Sequence, residues 1–503
     1  MMIAAATMPA HATDYTDQLL VLVNGEGTTQ QATISVSEHD GLYDLNLKNF
    51  VLMNGDSPMY VGNVELKDIT PETANDATFL RTNQNIIITD GDLPDVPFWM
   101  GTMLGELPVQ VTVVLDGDRL RALIDLDLSD MLGQIVNVRF GEALVSGTGY
   151  HIPNGDFEAW HTSAEGYEEP NAWHSFESAS GMLAALAGHH IEKSDKGRKT
   201  TNLPNDQTTN FCARIFATSI FGIIANGTMT TGRMNAGGFT ATDPANHAFL
   251  DMSQTDVDGN GDPFYVALNS RPDSLVFWVQ FHQGTTNADH PYATVSAVIT
   301  DGTRFQEPED KTYDNVVARA SNREIAVTGD EWHRISIPFI YTDSKVEPRA
   351  LMVTISTNAD PGQGSDGDEV LVDDLTLIYN SRLASLAVDG FQSDILDYDV
   401  ATATDADNLI CMPDGKDAYV LKTVSESDNE GKVVIDVFAA DLRSHSTYTV
   451  NYKKEAEGIK SLATSHAAPC TYYNIKGQRI DSPQKGQIVI ARQTNGRITK
   501  IQR

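Results

Sequence analysis

The chain is short of cysteine, of positive charge and of long apolar runs, and each shortage excludes something. Three cysteines (Cys212, Cys411 and Cys470) in 503 residues cannot form a disulfide framework, and their spacing excludes a zinc knuckle. Against 69 Asp and Glu stand only 35 Lys and Arg, a formal net charge of -34. Such an acidic surface repels phosphate, so neither nucleic acid nor an anionic membrane is expected as a partner. No stretch approaches 18 consecutive apolar residues, and no helical membrane span is expected. Enzyme signatures are missing too: no G-x-S-x-G elbow, no H-E-x-x-H, no phosphate-binding Gly loop, no dinucleotide fingerprint. A glycosidase needs only two carboxylates roughly 5 to 10 Å apart, so a hydrolase stays open.

What is present reads as export and β-structure. Residues 1–12, MMIAAATMPAHA, are apolar and uncharged, and Ala10-His11-Ala12 fits the small-x-small pattern of signal peptidase, with cleavage before Thr13. The segment is read as a signal-peptide remnant, and the mature protein as secreted or held at the cell surface. The length predicts two to four domains. LLVLVNG, QATISVSE, LYDLNLKNFVLM, PMYVGNVELKDI, VQVTVVLDG, LRALIDLDL and IVNVRFG alternate or run apolar between Gly, Asn and Asp. Only Ser180 to His190 offers a short helical stripe. Short strands at such spacing predict sandwiches or barrels, an all-β protein.

Residues 13–146, with LKNFVLM, YVGNVELKDI, FWMGTMLGELPVQV and VNVRFG, resemble the calycin-like domain of exported Bacteroidetes proteins. The resemblance implies an up-and-down β-barrel, with Trp99 and Phe98 plugging one end. Residues 150–380 open on IPNGDFEAW (Ile152 to Trp160) and close on EVLVDDLTLIY (Glu369 to Tyr379). Between them ANGTMTTGRM, RPDSLVFWVQF, EWHRISIPFIY and RALMVTIST read as strands. This segment resembles the putative carbohydrate metabolism domain (PCMD), a carbohydrate-binding-like jelly-roll sandwich. Residues 381–455 resemble a small immunoglobulin-like β-sandwich. From Cys470 the tail (456–503) carries seven Lys or Arg against the single Asp481, and its YYNIKGQRI, KGQIVIARQ and GRITKIQR read as hairpin strands. It resembles the C-terminal tail common to exported Bacteroidetes proteins, which implies sorting or surface retention.

Site candidates follow from these readings. The jelly-roll resemblance implies a structural Ca2+ clamped by Glu158 and by Asp373 or Asp374, with a carbonyl near Gly155. Alternation puts only one of the two aspartates on a given face. A second calcium candidate is DVDGNGD, where Asp256, Asp258, Asn260 and Gly261 match half of an EF-hand-type loop and Ala267 stands where a Glu is required; an acidic turn is the alternative. Aromatic faces stack on sugar rings, so Trp160, Trp173 and Tyr167 are the ligand candidates. Trp278, alternating with Phe277 and Phe281, is read as core or half-buried. His189-His190 is read as a surface pair.

The expected function is non-catalytic binding of a glycan, polysaccharide or other surface ligand through the jelly roll. The rivals are a carbohydrate-active hydrolase, a structural or adhesive protein that contacts other surface proteins, and ligand carriage by a hollow barrel.

Overall fold

A computed structural model describes residues 12–502 apart from 55–56, 130–132, 199–210, 221, 343–344, 389–390, 394–397, 401–408, 428–429, 454–470, 474–477, 481–487 and 493–497. The leader through His11 therefore lies outside the described residues, as does Cys470. Strands dominate, and the described helical segments are single turns such as Glu142–Val145 and Ala184–Ala187. No described helix is long and apolar enough to cross a membrane. The chain forms two compact units.

The first unit runs to Leu396 and takes in Leu409–Thr423 and Val434–Tyr448. It begins with a nine-stranded antiparallel sheet that curls on itself. Ala12–Val23 lies at the middle of the order, between Glu26–His39 and Gln134–Phe140. An Asn63–Thr89 bridge joins the two arms of the curl. Alternation explains it: Leu19, Val21, Val36, Leu45, Val109, Val111 and Val113 all point inward, and their side chains fill the interior. Trp99 is buried and meets Tyr60 edge-on at 5.8 Å, as expected of a plug, whereas Phe98 stays exposed. The sheet's outer face is not bare. Phe79 and Val114 pack there against Tyr419, Leu421, Phe438 and Leu442.

Two antiparallel sheets then stack face to face. One orders Ile191–Ser194, Cys212–Phe216, Glu369–Ile378, Ser274–His282 and His333–Pro338. The other orders Thr228–Thr230, Ala350–Ser356, Ala293–Thr300, Val316–Ile325 and Ile340–Tyr341, with Val266–Ala267 beside Ala350–Ser356. Phe277, Val279 and Phe281 from the first meet Val295, Ala297, Val353 and Ile355 from the second in one buried core. Cys212 sits in this layer with its thiol pushed up to about 12 by burial; it and Cys411 are free.

Beyond the sandwich, Leu383–Val388 pairs with Leu409–Pro413. In the second unit, Tyr398–Val400 runs parallel to Val450–Tyr452. Its tail forms a four-stranded antiparallel sheet of Arg479–Ile480, Thr471–Tyr473, Ile488–Arg492 and Ile498–Gln502, one strand more than the three phrases suggested.

Candidate functional site

The jelly roll's first and last phrases meet, as their resemblance implies. The Leu375 amide donates to the Gly155 carbonyl at 2.8 Å. The last strand carries a bulge here: Val276 faces Thr376, yet Trp278 faces Asp373, so two residues, Asp374 and Leu375, oppose Phe277 alone. Asp374 takes up the excess with a left-handed φ of 49°. The bulge re-aims its carboxylate onto Arg198, whose Nε donates at 2.7 Å and whose guanidinium stacks 4.4 Å over Trp278. Asp373 is buried and accepts from the Arg198 amide at 2.7 Å; burial pushes its carboxyl up to about 7. Glu158 accepts from the Phe211 amide at 2.9 Å, with its carboxyl raised by burial. Each of the four proposed calcium ligands thus already meets a donor of the protein. Arg198 already supplies a positive charge beside Asp374.

The aromatic candidates scatter. Trp173 is fully buried, packed on Phe157 at 5.3 Å with Nε1 turned to the Pro153 carbonyl. A ring with no free face cannot stack on a sugar, so Trp173 is core. Trp160 is half-buried, its Nε1 donating to the Phe157 carbonyl at 2.5 Å and Lys193 standing 6.0 Å over its face. Tyr167 is exposed but already stacks on His189 at 4.3 Å. His190 is no surface residue: it is fully buried, between the carbonyls of Phe216 and Ala187. Trp278 is half-buried, as expected.

The DVDGNGD loop is a turn knit by its own side chains. Asp262 accepts from the Ala172 amide and from Asn260 Nδ2, and exposed Asp258 lends only its carbonyl, to Ala164. Asp256 alone turns inward, toward His161, Glu169 and His174.

A large concavity lies elsewhere, on the outer face of the second sheet. Where Val295, Ala297, Val353 and Ile355 point into the core, their strand neighbours point the other way. At one end these are apolar, and Val298 and Met352 lie under Met234, Leu250 and Phe305 in a small second core. At the other end they are hydroxyls: Thr228 and Ser296 are buried, Thr294, Thr354 and Ser356 half-buried, and Ser321 exposed. Register lines them up in two rows: Thr228, Ser356 and Thr294, then Thr354, Ser296 and Ser321. They floor a half-open cleft of about 750 Å3.

The cleft walls mix apolar and polar groups. Phe176, Leu183, Ile220 and Ile224 stand on one side, and Phe239, 67% exposed, stands at the rim. Asn226 donates to the Asp360 carbonyl at 3.2 Å, while its buried Oδ1 accepts no hydrogen bond. Glu307, at the floor, accepts from Ser296 Oγ, and burial holds its carboxyl above the ordinary range. Asp243, Glu309, Asp310 and Arg323 add charge around the opening. None of these residues was singled out by sequence. Ser and Thr in strands are ordinary, and only the cross-strand register makes them a surface.

No protein-family model matches the chain, and no curated protein matches it. A solved structure, described as the structural basis for the promiscuous specificity of the carbohydrate-binding modules from the beta-sandwich superfamily, aligns with it. The alignment covers 73% of this chain and 97% of that one, at 8% identity and a TM-score of 0.20. At that score the likeness carries no argument about ligand or site.

Proposed function

We propose that this is an exported protein that binds a glycan, without chemistry, in the hydroxyl-floored cleft. The observation that carries the reading is the cleft's composition. A sugar ring offers one apolar face and a rim of hydroxyls, so its site needs an exposed aromatic beside fixed polar groups. Phe239 supplies the first, and the unsatisfied Asn226 Oδ1 with the Ser and Thr rows supplies the second. The volume suits a few sugar units of a longer chain. The acidic charge of the chain suits neutral or basic glycans better than sulfated ones. Weak single-site affinity would be strengthened by display of many copies on a surface.

The test is a glycan-array and polysaccharide pulldown with the wild type and Phe239→Ala. The expected outcome is binding to a defined glycan that drops about tenfold in Phe239→Ala, the equivalent of about 1.4 kcal/mol. Binding that ignores the substitution sinks the cleft as its site.

One observation favours a second reading. A carboxyl kept protonated beside other carboxylates is what a glycosidase uses as its acid. Burial shifts the Glu307 carboxyl in that direction, and Glu309 and Asp310 share its cleft. Release of reducing sugar from the bound glycan, abolished in Glu307→Gln, would replace binding by hydrolysis.

A further inference from the structure

The inward-facing Asp256 leads to a second site, independent of the cleft. One ligand atom from each of His161, Glu169 and Asp256 lies within 4.8 Å of the others. Glu169 is fully buried and Asp256 is 3% exposed. Yet His161 Nε2, Glu169 Oε2 and Asp256 Oδ2 are all shielded from solvent without a hydrogen-bond partner. So is Nδ1 of fully buried His174, which stands 3.3 Å from Asp256 Oδ2 without the alignment of a hydrogen bond. An orphaned buried polar atom is unfavourable, a charged one more so, and here four face one another.

The neighbours fix which atoms carry lone pairs. His161 Nδ1 lies 3.0 Å from Asn171 Oδ1, and that oxygen also accepts from Asn260 Nδ2, so the histidine nitrogen must donate. Its Nε2 is then the bare nitrogen, pointing into the cluster. His174 Nε2 faces the Pro263 carbonyl at 3.2 Å, which can only accept, so its Nδ1 is bare as well. With both imidazoles neutral, two imidazole lone pairs and two carboxylate oxygens face one another. Metal-binding histidines are oriented in this way, by an oxygen on the far nitrogen. Gly259 closes the shell: a Cβ there would lie 2.6 Å from Asp256 Oδ2 and 2.9 Å from His161 Nε2.

We propose that His161, Glu169 and Asp256, with His174 Nδ1 beside them, bind one divalent transition-metal ion of the zinc type. Mixed imidazole and carboxylate donors select zinc or a neighbouring first-row ion over calcium, which takes oxygen ligands. The ion neutralises two buried carboxylates and gives every orphaned atom a partner. His161, at the half-buried edge, provides the way in. The role is a staple: the ion ties the hairpin of Trp160–Thr162 and Glu168–Pro170 to the loop beginning at Asp256.

The full chain, stripped with chelator, is titrated with Zn2+ and separately with Co2+ as a spectroscopic probe. The expected result is one equivalent bound, a higher Tm, and Co2+ ligand-field bands that vanish in His161→Gln. Asn171→Ala, which removes the acceptor that orients His161 and also meets Asn260, should weaken uptake at least tenfold while leaving all the ligand side chains present. His39→Gln, in the separate cluster with Asp44 and Asp68, should change nothing. Folded wild type that takes up no stoichiometric metal overturns the proposal. Uptake that survives both His161→Gln and Asn171→Ala, or that is lost in His39→Gln, does the same.

Discussion

Gly155 and Leu375 meet backbone to backbone, the Leu375 amide donating to the Gly155 carbonyl at 2.8 Å. A Cβ on Gly155 would lie 2.0 Å from the Leu375 carbonyl oxygen, a contact that no rotamer relieves. This is where the opening of the jelly roll is joined to its final strand, just past the Asp374 bulge. Gly155→Ala should therefore cost about 3 kcal/mol or more and lower Tm by several degrees. Thermal unfolding of the variant checks it; a Tm equal to wild type would show that the junction yields.

Trp173 and Trp160 should separate in the same measurement. Deleting a fully buried indole from the core costs about 3–5 kcal/mol, so Trp173→Ala should unfold at a much lower temperature or fail to accumulate. Half-buried Trp160 should cost clearly less. Glycan binding by whatever Trp160→Ala or Tyr167→Ala protein is folded should match wild type, because neither residue lines the cleft.

Glu307 gives the protein a pH dependence whose sign is fixed by its burial. Its folded carboxyl titrates above the unfolded value of about 4.3. Below that value both states hold the proton, and the group does not affect stability. As the pH rises, the unfolded state ionises first and folding loses free energy until the folded carboxyl ionises too. Glu309 raises the carboxyl further, and Arg323 and Arg319 oppose it. Glu307→Gln should thus have a Tm near wild type at pH 4 and above it at pH 8. An equal difference at both values would assign the effect to packing.

At the Arg198 corner, the guanidinium pairs with Asp374, one of the carboxylates that the resemblance assigns to calcium. Arg198→Ala frees the Asp374 carboxylate while the backbone amide at 198 still donates to Asp373, and we propose that Asp374, with Asp373 and Glu158, then takes up Ca2+. The variant should melt a few degrees lower, and millimolar Ca2+ should restore part of the loss while leaving wild type unchanged. Wild type that is itself stabilised by Ca2+ would show that the ion displaces Arg198.

The barrel strands were legible because one face is wet and one dry, which writes alternation into LYDLNLKNFVLM and LRALIDLDL. Ala77–Ile87 was missed: its RTNQN stretch is polar along its length, and only pairing with Glu106–Asp116 makes it a strand. Ala293–Thr300 and Val316–Ile325 were missed as well, although they are central. Their small Ala and Ser residues serve close sheet packing and leave little periodic signal.

By itself the sequence determined what local pattern can carry: an all-β chain, its punctuation by Gly, Asn and Asp, its acidity, and the likeness of its jelly-roll ends. Tertiary structure alone decided which polar atoms meet. The hydroxyl rows of the cleft come from three or four strands brought into register. The four orphaned atoms around Asp256 come from residues that are up to 95 positions apart (His161 to Asp256). Alternation says which face a side chain takes; only the closed fold says what stands opposite it.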